Sequence, residues 1–232
     1  MMDEEKAKKI IDEVFLNIFG QKCKLTLEQV MEKFAFDIKL PNKVLDGVTG
    51  EETWAESINP TKFITQENMR KYDNYKGWMR PKVEVSSLEE ILKLWKKINY
   101  TTTERYYNST NVIKSDTIYD CENVYRCVDC RKSKNIVFSD GCGSSEYIVA
   151  SQRTANSVYS LRVDDSRDCA NSYNLICSSK ISNSFFIQDC NNLYECMFCS
   201  HISSKEYCIA NMQFEKEEYM EIKEEIINWI LG

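Results

Sequence analysis

One histidine, three prolines and seven glycines are all that 232 residues contain of these three types. With His201 as its only imidazole, the chain has a single candidate base for any Ser/His/Asp or Cys/His arrangement, and the default reading of that residue is a surface or satisfied side chain. Gly141 and Gly143 stand apart from other glycines, so there is no glycine-rich phosphate loop. A run of basic residues is also missing, and the net charge is −6, which argues against nucleic-acid binding through counterion release; a DNA mimic stays compatible with it. No apolar stretch approaches the roughly 18 residues of a membrane span, and Met1 to Lys9 is charged with no signal-like run behind it. The expectation is a cytoplasmic protein in its host cell or one built into a virion.

What is abundant is cysteine, 11 residues, ten of them between Cys121 and Cys208. Without a secretion signal, reduced thiols in a core are the simpler reading than a disulfide scaffold. The 43% hydrophobic content is enough to close a sizeable core.

The composition divides near Thr103. Pro41, Pro60 and Pro81, three of the four tryptophans and only Cys23 among the cysteines lie before it. Ile10, Val14 and Ile18, with Ile11 and Phe15 beside them, predict a helix over 3–19. Residues 25–36 predict a second, with Thr26 as its N-cap. From Asp37 to Val85 the Pro, Gly and Asn content suggests an extended, turn-rich connector anchored by Phe63, Tyr72, Tyr75 and Trp78. Ser87-Leu88-Glu89-Glu90 is a capping-box pattern opening a helix to about Ile98, with Leu88, Ile91, Leu92 and Trp95 on one face.

After Arg105 an internal repeat appears. Asp120-Cys121-Glu122-Asn123, Asp168-Cys169-Ala170-Asn171 and Asp189-Cys190-Asn191-Asn192 are its clearest copies. Cys121, Cys142, Cys169 and Cys190 are separated by 21, 27 and 21 residues; Asn135, Asn156, Asn183 and Lys205 by 21, 27 and 22; Cys130, Ser151, Cys177 and Cys199 by 21, 26 and 22. Taken as one coil, this period predicts a mainly β chain: a right-handed parallel β-helix of about five rungs over 105–214, where equivalent positions stack about 4.8 Å apart. Residues 1–104 form a helical and extended region covering one end, and 215–232 a helix capping the other. Asp168 and Asp189 are expected to stack on adjacent rungs. The long interval predicts an insertion at residues 162–168, a protruding loop whose Arg162, Asp164, Asp165, Arg167 and Asp168 form a charged interaction site.

Two CxxC pairs, Cys127/Cys130 and Cys196/Cys199, are candidate metal ligands. Three rungs of separation would hold the pairs about 14 Å apart, too far to share one zinc. The expectation is therefore core thiols, with no metal and no cofactor.

The Cys-x-Asn-x-Tyr units, with Lys205-Glu206-Tyr207-Cys208-Ile209-Ala210-Asn211 and the closing Tyr219 helix, resemble those of uncharacterised Cys/Asn/Tyr-repeat β-solenoid proteins of bacteria and tailed bacteriophages. The likeness spans about residues 105–225, carries no catalytic residues to transfer, and implies a phage or prophage origin. The leading expectation is a non-enzymatic structural or protein-interaction scaffold, a phage virion component, whose partners are other proteins or further copies of itself and include neither nucleic acid nor membrane. The alternatives are a carbohydrate-active β-helix enzyme using Asp164, Asp165 and Asp168 with Arg162 or Arg167, and a metal-binding regulatory module on the CxxC pairs.

Overall fold

The computed structural model describes residues 2–58, 62–72 and 78–232, the Tyr72 side chain excepted. From Asn108 to Ala210 every third residue, 35 in succession, has a left-handed backbone with φ between 44° and 64°. Only Gly141 among them is a glycine. A single non-glycine residue held there is uncommon, so so long a series is a property of the architecture. Each such residue turns a corner, the next points inward, and the third points out. Four of these three-residue sides close one coil, because strand partners lie 12 residues apart: Glu122 pairs Lys134, Lys134 pairs Glu146, Glu146 pairs Val158, and Val158 pairs Ala170, all in parallel.

Residues 105–214 thus form a β-solenoid of about nine coils rather than about five. The reason is visible in the spacings first read from the cysteines. Intervals of 21 and 27 residues are seven and nine sides, multiples of three that share a position within the side without sharing a side of the coil.

The inward positions from Ser115 to Cys199 number 29, and all are buried. Only Ser, Cys, Thr, Val, Ile and Leu occupy them. Short hydroxyls and thiols recur because each corner leaves backbone groups that no strand ladder satisfies. Ser151 Oγ donates to the Val149 carbonyl and accepts the Val163 N–H, one coil on, at 3.0 Å each. Cys127 does the same work with sulfur, donating to the Tyr125 carbonyl at 3.2 Å and accepting from Ser139 N at 3.4 Å. The aliphatic inward residues fill the space between, as in the cluster of Val163, Leu175, Ile181, Ile187 and Leu193.

One outward column is apolar throughout: Ile113, Tyr125, Val137, Val149, Leu161, Tyr173, Phe185, Met197 and Ile209, each 12 residues from the next. Helix α1 (Glu4–Phe19) lies along it and buries Ala7, Ile10, Ile11, Val14, Phe15, Ile18 and Phe19. Asp3 caps its start by accepting from Lys6 N, and Gly20 ends it at φ 75°. Helix α2 (Leu27–Phe34) opens with a Thr26/Gln29 capping box and sets Phe34 edge-on to Phe15 and Tyr173.

The sequence places the helical N-terminal region and the last helix at the two ends of the solenoid. Instead, α1 and α2 run along its flank, and the C-terminal helix (Lys216–Leu231) folds back against the same cluster through Tyr219 and Ile230. The apolar column draws them there, because a helix laid on it buries far more surface than one laid across an open coil.

The connector between Asp37 and Val85 is more regular than its composition suggests. Strands β1 (Asn42–Leu45) and β2 (Glu52–Ala55) form an antiparallel hairpin, and β3 (Phe63–Thr65) pairs in parallel with β4 (Thr101–Thr103), which leads into the first coil. Helix α3 (Gln66–Tyr72) follows β3. Of the expected aromatic anchors, Phe63 is in β3 and Trp78 packs 6.0 Å from Tyr100, while Tyr75 and the Tyr72 side chain lie outside the described residues. This segment closes the first coil. Buried Asp116 accepts from Glu56 N, Arg105 N and Arg105 Nε, and Arg105 Nη2 also reaches Glu56. Trp54 covers the Arg126 guanidinium at 5.1 Å.

The last coil is bounded differently. Cys208 and Ile209 pair antiparallel with Gln213 and Met212, but residues 203–206 are exposed, including Lys205, which continues the inward column of Leu193.

Candidate interaction surface

The residues expected in a protruding loop lie within regular coils. The strand Val158–Asp164 holds Arg162 and Asp164, and the three-residue sides continue through Asp165 and Asp168 without insertion. The structure does not bring the five side chains together. Arg162 is bonded to both Asp37 carboxylate oxygens at 3.0 Å and to the Phe34 carbonyl at 2.8 Å, with its guanidinium 4.5 Å from the Phe36 ring. It pins α2 to the solenoid. Asp164 accepts from Gln152 and Arg153, and Asp168 accepts from Asn156 at 3.3 Å. Asp165 and Arg167 line a shallow depression of about 460 Å³ with Arg153, Ala155, Cys177 and Ser179, and no aromatic ring enters it.

Asp168 and Asp189 do not stack, since 21 residues is not a whole number of coils. Asp189 neighbours His201 at 3.7 Å instead. The ladders that exist run at 12 residues: Asn111 to Asn123 to Asn135 through side-chain amides, Tyr147 on Tyr159 at 4.8 Å, and Phe186 on Phe198 at 4.6 Å.

The CxxC pairs occupy adjacent inward positions of single coils and are buried. Their separation of 69 residues is nearly six coils, about 28 Å along the axis, twice the sequence-based distance. Among the described residues no group of three His, Cys, Asp or Glu is arranged to hold a metal ion. Thiols within a pair polarise each other. Cys196, turned toward Cys199, pulls that thiol down to about 7, and Cys127 and Cys142 likewise lower Cys130. Burial alone pushes Cys121 and Cys169 up to about 11. Ten of the 11 cysteines are buried, and Cys177 alone is exposed.

Two features of the N-terminal end escape a motif search. A polar cleft of about 650 Å³ lies among Glu51, Glu52, Gln66, Glu67, Arg70, Lys71, Glu104 and Tyr106. Burial raises the Glu104 carboxyl, against a hydrogen bond from Thr53. Asp140, first of the side that Gly141 interrupts, is pushed up to about 6, chiefly by burial.

The surface that stands out is helix α4 (Leu88–Trp95). Ser87 caps it by accepting from Glu90 N, as the pattern predicts, but the helix buries none of its residues. Leu88, Ile91, Leu92, Trp95 and Ile98 are 69, 49, 42, 51 and 38% exposed, and Val83 and Val85 before them are also exposed. Its apolar face is legible in the sequence; that nothing in the chain covers it is not. Among the described residues no helix is long and apolar enough to cross a membrane. No protein-family model matches the chain, and neither the curated proteins nor the solved structures contain a match to it.

Proposed function

We propose that the protein is a non-enzymatic interaction scaffold: a stiff solenoid, clothed along one flank by its own helices, that presents α4 to a protein partner. The observation that carries this reading is the uncovered apolar face of α4, five large side chains open to water on a helix that is itself well capped. The residues offered for glycoside chemistry are otherwise engaged, Arg162 with Asp37 and Asp164 with Gln152 and Arg153, which favours a scaffold over a hydrolase. The likeness of the repeats to those of bacterial and tailed-phage proteins assigns the scaffold, in this proposal, to a virion. We further take the coils to be right-handed, the hand that crossovers between parallel strands adopt in nearly all proteins.

The reading is tested with the double variant Ile91→Ser/Trp95→Ala at low protein concentration. A face held ready for a partner contributes nothing to the isolated chain, so the thermal midpoint should stay within about 2 °C of the parent. A fall of more than about 5 °C would mean that α4 packs within the chain, and the proposed surface would be lost.

A further inference from the structure

We infer that the partner of α4 is α4 of a second copy, packed antiparallel about a two-fold axis. This inference rests on the scaffold reading and names the occupant of its free face. Charge order along the helix selects it. Glu89 and Lys96 are seven residues apart, as are Glu90 and Lys97, so each pair occupies one flank of the apolar stripe two turns apart. Each flank is therefore acidic at its start and basic at its end.

When two such helices pack antiparallel, equivalent flanks face each other with their order reversed. Glu89 then meets Lys96 of the other copy and Glu90 meets Lys97, each contact made twice by symmetry. Leu88 faces Trp95, and Ile91 faces Leu92, closing the stripe. A parallel arrangement would set acid against acid and base against base, with the helix dipoles aligned unfavourably. The same stripe on a uniformly charged partner would leave one half of each flank opposed by its own sign. A twofold contact is also the commonest closed symmetry, and it uses one patch for both sides. Exposed Met79, Val83 and Val85, on the chain leading into α4, extend the apolar area available beyond two helical turns.

Sedimentation equilibrium of the full chain and of two charge-reversed forms tests the arrangement. Lys96→Glu/Lys97→Glu makes all four flank positions acidic, and Glu89→Lys/Glu90→Lys makes all four basic. The parent should dimerise reversibly, each reversed form alone should dimerise at least tenfold more weakly, and an equimolar mixture should recover the parent's affinity as a heterodimer. Recovery on mixing also shows that both variants are folded. A parent that stays monomeric at about 200 µM overturns the inference, as do reversed forms that dimerise like the parent or fail to recombine. If α4 variants keep full thermal stability in that monomer, the scaffold reading stands and only its occupant is lost.

Discussion

Helices α1 and α4 have the same local design and opposite fates. Each is opened by a side-chain cap, Asp3 or Ser87, and each carries an apolar face against a charged one. Yet α1 buries seven residues and α4 none. The difference lies in the surface each can reach. Beside α1 runs a column of nine outward apolar residues spaced by one coil, whereas the strands nearest α4, β3 and β4, offer it no such column. Amphipathicity in a sequence states that a face needs cover; the location of that cover is a property of another segment.

The sharpest way to break this comparison is to shorten a side chain on the covered side. Phe15 is 1% exposed, packed against Phe19 and Phe34. Phe15→Ala should cost about 3–5 kcal/mol in denaturant unfolding. A loss under about 1 kcal/mol would show that α1 is as loosely held as α4.

The inward positions test whether the solenoid needs its hydroxyls for bonding or only for size. Ser151→Ala leaves the Val163 N–H without its acceptor inside the coil and should cost about 1–3 kcal/mol. Ser151→Cys should cost less than half as much, because Cys127 fills the same role with sulfur. Equal costs for the two substitutions would leave only the volume of the side chain to explain the Ser and Cys pattern.

That pattern also explains what the sequence shows and what it hides. Cysteine marks the inward position wherever it falls, so the repeat of Cys121, Cys142, Cys169 and Cys190 is genuine evidence of a solenoid with buried thiols. Inward residues are interchangeable between the four sides, however, so the same cysteines say nothing about coil length. The 12-residue period is written on the outside instead, in Tyr125, Val137, Val149, Leu161, Tyr173 and Phe185, where one side alone meets a helix. Misreading the period generated the insertion at 162–168 and with it the charged site. Arg162 and its neighbours have local partners that spacing along the chain cannot reveal, since Asp37 is 125 residues away. Helix α4 was fully legible as an element, while its exposure was not.

Asp140 separates covered from uncovered by pH. Burial raises its carboxyl to about 6, with Lys39 opposing and Cys130, Asp129 and Glu56 reinforcing. A group raised above its unfolded value holds its proton more tightly in the folded state. The folded form is therefore favoured below the ordinary aspartate range of about 4, and that contribution is lost as pH rises to and through about 6. Asp140→Asn should stabilise by about 1–2 kcal/mol above pH 7, discounted for partial solvation, and by nothing near pH 4. A gain independent of pH would place its origin outside the carboxyl charge.

The smallest effect is expected at Lys205, where coverage ends within a single column. Leu193 and Lys205 are strand partners in successive coils, and both occupy the inward position. Leu193 is 2% exposed under the following coil, whereas nothing follows Lys205 and it is exposed. A charged side chain is tolerable there because its ammonium reaches water, and it also discourages another strand from adding to the open edge. Lys205→Ala should change unfolding stability by less than about 0.5 kcal/mol, against about 2–4 kcal/mol for Leu193→Ala. If the lysine substitution proves as costly as the leucine one, the last coil is covered after all, and the contrast between a closed first coil and an open last one disappears.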